Sequence, residues 1–202
     1  MKNDEMKVLE SLETPFMIQQ YLDSLPYNCT GRTLSPRLVI REQMAHCMDG
    51  GLFAASTLRR LGYPPLIVDL AAENDDDHII AVFREGRCWG AIAKSNTTVL
   101  RFREPVYRTL RELAMSYFDM YYNLNGQKTL RSYSRIIDLS RFDDRNWEAT
   151  EEDLEFIGDY TFRVRHYPLL TELQIKRLND VPKYLFDAGF AGTDIDGLYK
   201  PS

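Results

Sequence analysis

The chain is poor in the residues that brace small secreted proteins or hold metals. Its 202 residues include three cysteines, Cys29, Cys47 and Cys88, an odd number at wide spacing with no Cys-x-x-Cys pair. That pattern excludes a disulfide framework and a zinc knuckle, and it fits reduced thiols in a cytoplasmic protein. A metal site built on Cys47 and one histidine lacks further ligands nearby in sequence, so neither metal nor cofactor is expected. No apolar run reaches the roughly 18 residues of a membrane span. The first residues, MKNDEMKVLESLETPFM, mix acids and bases where a secretory leader has an apolar core of about 7–15 residues. A cytoplasmic location without membrane contact is therefore the expectation. The formal charge of −5 argues against nucleic acid as a partner. Repeats and low-complexity tracts are also missing.

What remains is an ordinary globular composition, 44% hydrophobic and 27% charged, in a chain long enough for one packed core. Residues 1–202 are read as one domain with a helical C-terminal extension from about residue 108. A Thr-Pro start and apolar residues at helical spacing predict a helix over 14–25. A second helix is predicted from Cys47 to Leu61, where Leu52, Ala55, Leu58 and Leu61 recur every three residues before Gly62, Pro64 and Pro65 stop it. Strands follow at 66–70, 78–83 and 88–93, the last two joined through Glu85-Gly86. Periodicity predicts a long helix over Arg108–Asn123, and a strand over 135–139. Thr150 with Asp153 and Thr171 with Gln174 read as capping boxes. The order implies an α+β fold, an antiparallel sheet packed on the helix that begins near Cys47.

That helix carries the most informative chemistry. A thiol is nucleophilic as thiolate, and a helix N-terminus stabilises an anion through unsatisfied N–H groups and the dipole. Gly50 and Gly51 each cost about 1 kcal/mol of helix stability relative to Ala, which asks for a reason such as close approach of a strand or substrate. A cysteine nucleophile needs an imidazole, and of three histidines His78, at the start of an apolar strand, is best placed to reach the helix mouth. His46 is adjacent in sequence and so points elsewhere. His166 lies far downstream and reads as a surface or core-edge residue.

The run from Cys47 to Pro64, CMDGGLFAASTLRRLGYP, resembles the cysteine helix of the transglutaminase-like superfamily. His78-Ile-Ile-Ala-Val-Phe with Gly86-Arg-Cys-Trp89 is similar to that superfamily's histidine hairpin. The resemblance covers about residues 14–96. It implies a papain-like α+β fold and a Cys-His-Asp triad for acyl transfer or amide hydrolysis, with Cys47 attacking a carbonyl and His78 shuttling the proton. Ala93 stands where the superfamily has its aspartate. Asn96 is then the candidate orienter of His78, since a side-chain carbonyl can accept the imidazole N–H, and Ser95 is a second.

Two functions follow. One is a cysteine-dependent amide or peptide hydrolase or acyltransferase using Cys47, His78 and Asn96 on a peptide or amide-bearing substrate. The other is a catalytically inactive relative that serves as a binding module. Asp49, in the first helical turn, is explained by the dipole, and ENDDD (73–77) as a solvated loop able to raise the pKa of His78.

Overall fold

The computed structural model describes residues 3–194 and 197–200. Helices α1 (Asn3–Ser11), α2 (Pro15–Ser24), α3 (Pro36–Glu42) and α4 (Cys47–Arg60) come first. Strands β1 (Leu66–Ala72), β2 (His78–Glu85), β3 (Cys88–Ile92) and β4 (Arg103–Tyr107) follow, then α5 (Leu110–Met115), β5 (Leu130–Ser134) and β6 (Ile137–Asp138). The chain continues through α6 (Glu155–Arg163), β7 (His166–Pro168), α7 (Glu172–Ile175) and α8 (Lys183–Gly189). The strands form an antiparallel sheet in the order β4-β3-β2-β1-β5-β7, with β6 also beside β1, an α+β architecture.

Alternation along the central strands gives the sheet two apolar faces. Ile67, Ile79, Ala81 and Phe83 join one core with α4, while Val68, Leu70, Ile80 and Val82 join another with Leu113, Tyr117 and Tyr121. The pairing of Asp69 with Ile79 and of Leu70 with His78 fixes which residues share a face, because a one-residue slip would exchange the two sets. A run of apolar residues on both faces is what a central, doubly covered strand needs.

Helix α4 lies between β2 and the helices α2 and α3, with Leu52, Phe53, Ala54, Ala55 and Leu58 fully buried. Its two glycines have structural reasons. A Cβ on Gly51 would stand 2.6 Å from Ile79 Cγ2, and one on Gly50 2.3 Å from Lys94 Cβ. The helix can therefore lie on β2 and on the chain after β3 only where it has no side chain. Lys94, itself buried, donates from Nζ to the carbonyls of Leu22 and Leu25 at the end of α2, so it serves as a cap for that helix.

The structure departs from the sequence expectations in the second half. The helix expected over 108–123 is only α5, followed by a 3-10 turn at Phe118–Met120. Thr109 and Glu112 form the capping box that starts α5. The Tyr117 and Tyr121 hydroxyls then donate to the carbonyls of Arg101 (2.8 Å) and Asp76 (2.6 Å). These tertiary bonds and the burial of both rings outweigh the modest gain from extending a helix.

Thr150 and Asp153 do not start a helix together. Thr150 Oγ1 accepts from Glu152 N, and Asp153 Oδ1 accepts from Glu155 N and Thr33 N, so α6 begins later than the motif suggests. Thr171 and Gln174 do form their capping box, on the four-residue α7. The part of the chain beyond 108, expected to be helical apart from a strand over 135–139, contributes β5, β6 and β7 to the sheet, with β6 inside that expected strand.

Candidate active site

The start of α4, the 75–77 loop and the start of β2 converge on one cleft, and the packing of α4 on β2 brings them there. His46 is the N-cap of α4: its Nδ1 accepts from the amides of Met48 (3.1 Å) and Asp49 (3.3 Å). The buried Asp49 carboxylate completes a capping box with His46 N (3.0 Å) and also takes Leu34 N (2.6 Å) and Asn28 Nδ2 (2.8 Å). Asp49 thus pins the 28–34 loop beside the helix mouth, in addition to compensating the dipole.

Cys47 is the first residue of this helix. Its Sγ lies 3.8 Å from the carbonyl of Asp77, the residue before His78. Burial pushes the thiol up to about 12, and the charges of Asp76 and Asp49 add to that, against the opposing amides of Ile79 and Met48. Desolvation and two nearby carboxylates therefore outweigh the helix N-terminus. Cys47 is a protonated thiol at neutral pH.

His78 lines the same cleft as Cys47, but the two make no hydrogen bond. The imidazole projects toward the face of the sheet opposite α4, between Tyr117 and Tyr121 at centroid separations of 6.5 and 6.4 Å. Its Nε2 is 2.9 Å from the Leu100 carbonyl. Burial lowers its pKa to about 4, with the charges of Arg103 and Arg101 in the same direction and the Leu100 carbonyl opposing. The expected thiolate–imidazolium pair is thus replaced by a neutral thiol and a neutral ring in one cleft. The acidic 75–77 loop does not raise the histidine pKa: burial, the Leu100 carbonyl and the two arginines are what shift it.

Asn96 and Ser95 line the same cleft as Cys47 and His78, but the Asn96 amide is not bonded to His78. Its Nδ2 donates to the carbonyl of Asp194 (2.8 Å) and its Oδ1 accepts the Asp194 amide (3.0 Å). Asn96 holds the C-terminal segment instead. Ser95 Oγ accepts the amide of Thr97 (3.0 Å) within a local turn. The Ala93 backbone, where an aspartate was looked for, is clamped at N and O by the Gln19 amide at 3.0 and 2.9 Å.

A second titratable pair in this region escaped the sequence reading. Asp69, buried in β1, receives His166 Nε2 at 3.1 Å on Oδ2, while His166 Nδ1 meets the Val164 carbonyl at 3.0 Å. Asp69 Oδ1 is buried without a hydrogen-bond partner among the described residues. Burial raises the Asp69 pKa to about 6; Asp77 adds to the rise and His166 opposes it. The available signal was an acid within the apolar strand LIVDL, on the face that Ile67 and Ile79 give to α4.

No protein-family model matches the chain, and no curated protein matches it in sequence. Among the described residues, no helix is long and apolar enough to cross a membrane, and no group of three or more His, Cys, Asp or Glu side chains could hold a metal ion.

Proposed function

We propose that the protein is a cysteine-dependent acyl-transfer enzyme, an amide or peptide hydrolase or acyltransferase, on the papain-like arrangement that its resemblance to the transglutaminase-like superfamily implies. One observation carries this reading: the tautomer of His78. A carbonyl only accepts, so the 2.9 Å contact to Leu100 O requires the proton on Nε2, leaving Nδ1 with a lone pair in the ring that shares a cleft with Cys47. Here a backbone carbonyl takes the orienting role sought in Asn96.

With both groups neutral, the chemistry is general-base catalysis. Cys47 Sγ attacks the substrate carbonyl while its proton passes to His78 Nδ1. The proton then goes to the leaving amine, and water or a second acceptor removes the acyl group. A ring that is hard to protonate is a weak base at rest but a strong acid once it holds the proton, which favours expulsion of a poor leaving group.

The test uses acyl p-nitroanilides and p-nitrophenyl esters as donors. Nitroaniline or nitrophenol release is followed together with the intact mass of the protein, for the parent, Cys47→Ala and His78→Gln. The reading expects an acyl adduct on Cys47 that forms much more slowly in His78→Gln. It fails if release does not depend on Cys47, or if His78→Gln acylates at the parent rate. The second reading, a catalytically inactive binding module, is favoured by the thiol pKa of about 12 and by the use of Asn96 to hold Asp194.

A further inference from the structure

A second cavity, which shares Cys47, Asp76 and Asp77 with the first but does not reach His78, holds carboxylates that the acyl-transfer chemistry does not use. Asp69, Asp76 and Asp77 line it with Cys47 and with Thr161 and Phe162 of α6. An acidic cluster in a loop needs no ligand, but Asp69 is not in the loop. It sits in β1 at 1% exposure, Oδ2 taken by His166 and Oδ1 left without a partner among the described residues. A buried carboxylate oxygen without a donor costs about 1–3 kcal/mol or more, and such a group in a native structure calls for an explanation, such as a catalytic role or a bound cation. Asp77, whose Oδ1 accepts the Ala72 amide at 2.7 Å, stands near enough to disfavour ionisation of Asp69.

We infer that this second cavity is a subsite for a compact organic cation, an alkylammonium or guanidinium group carried by the substrate of Cys47, with Asp69 and Asp77 as its two carboxylates. The inference rests on the acyl-transfer reading for the identity of the molecule that carries the cation. A donor hydrogen entering the subsite would satisfy Asp69 Oδ1 and relieve the repulsion between the two acids. Phe162, 68% exposed on α6, offers an apolar and aromatic wall for the methylene stem or for the cation itself. The same positive charge would offset Asp76 and Asp49, which hold the thiol protonated, so a cationic substrate would favour proton loss from its own nucleophile.

Thiol modification tests the subsite without turnover. In a Cys29→Ser, Cys88→Ser background, Cys47 is treated with cationic 2-aminoethyl methanethiosulfonate or neutral methyl methanethiosulfonate. Its sulfur forms the mixed disulfide and methanesulfinate leaves, and intact mass gives the rate. Each rate is divided by that of the same reagent with free cysteine. The subsite predicts a preference for the cation of about tenfold or more. The preference should persist in 1 M salt, where the Debye length of about 3 Å removes a diffuse field but not a contact. It should fall to about twofold or less in Asp69→Asn and in Asp77→Asn. Asp77→Asn keeps an amide oxygen for Ala72 N, so it remains informative should Asp69→Asn fold poorly. No preference in the parent, a preference lost in salt, or one unchanged in both variants overturns the inference. Failure to cleave any acyl donor would count against the acyl-transfer reading alone, whereas a lost cation preference counts only against the subsite.

Discussion

Each face of the sheet holds a histidine, His78 in the cleft with Cys47 and His166 against Asp69, and the two are partnered differently. On the α4 face, His166 meets the Asp69 carboxylate on Nε2 and the Val164 carbonyl on Nδ1, so both ring nitrogens have acceptors. On the other face, His78 has one carbonyl acceptor on Nε2 and two tyrosine rings around it. A carbonyl fixes a tautomer without stabilising the charge enough to offset desolvation. Burial thus sets the charge state of His78, and its partner decides which nitrogen carries the proton. The α4 face thus sets a histidine against a buried acid, and the other face leaves one nitrogen of a neutral ring with a lone pair.

The largest expected effect tests that contrast directly. His78→Gln keeps a side-chain N–H for Leu100 O but has no basic nitrogen, so Cys47 acylation should slow by about 10²–10⁴. His166→Gln should leave the acylation rate within about threefold, because His166 is placed to hold Asp69 and not to move a proton. Equal losses in stopped-flow acylation of the two variants would remove the distinction between the faces.

Packing supplies the next effect. Leu58 of α4 is fully buried on the face that carries Asp69. Leu58→Ala should cost about 2–5 kcal/mol in urea unfolding. Val106, 65% exposed on β4, should change by about 0.5 kcal/mol or less on truncation to Ala.

The two ends should also give opposite pH dependences. The pKa of His78 falls from 6.5 to about 4, so the folded state binds its proton less well than the unfolded chain. Its contribution is complete above about pH 6.5 and is lost as pH falls toward 4, amounting to about 3 kcal/mol. The pKa of Asp69 rises from 3.8 to about 6, so its contribution is present below about 3.8 and is lost as pH rises through 6. Between pH 4 and 6 the two oppose each other. Unfolding free energies across this window should rise less steeply with pH in His78→Gln than in the parent, and more steeply in Asp69→Asn. Slopes of the reverse order would show that the assignment of the two environments is wrong.

What the sequence made legible follows from where each feature is encoded. Helix α4 and the β2–β3 hairpin are written in local periodicity, in the Gly62-Pro64-Pro65 stop and in the Glu85-Gly86 turn, so their positions were readable. The glycines of α4 were readable as a close approach, though not that Ile79 and Lys94 make it. The partner of His78 was not readable, because Leu100 meets it through a carbonyl that every residue possesses. Nor was the Asp69–His166 pair, whose members lie 97 positions apart on strands joined through β5. The break after α5 depends on tyrosine hydroxyls reaching the carbonyls of Arg101 and Asp76, which no window of neighbouring residues contains.

The smallest effect separates an orienting residue from a structural one. Asn96 looked like the orienter by position, yet both ends of its amide serve the Asp194 backbone, and the neighbouring Thr98 adds bonds to the carbonyls of Gly189 (3.0 Å) and Ala191 (2.8 Å). Asn96→Ala should therefore cost about 1 kcal/mol, the usual net worth of a hydrogen bond, and should expose the Asp194 amide to faster hydrogen exchange. Iodoacetamide alkylation of Cys47 should change by less than about twofold, with its rise against pH still centred well above the free-thiol value of about 8.5. The opposite pattern, slower alkylation with Asp194 protection unchanged, would return Asn96 to the catalytic pair and remove that role from Leu100. The two outcomes separate cleanly because hydrogen exchange reads the tether to the C-terminal segment and alkylation reads the thiol.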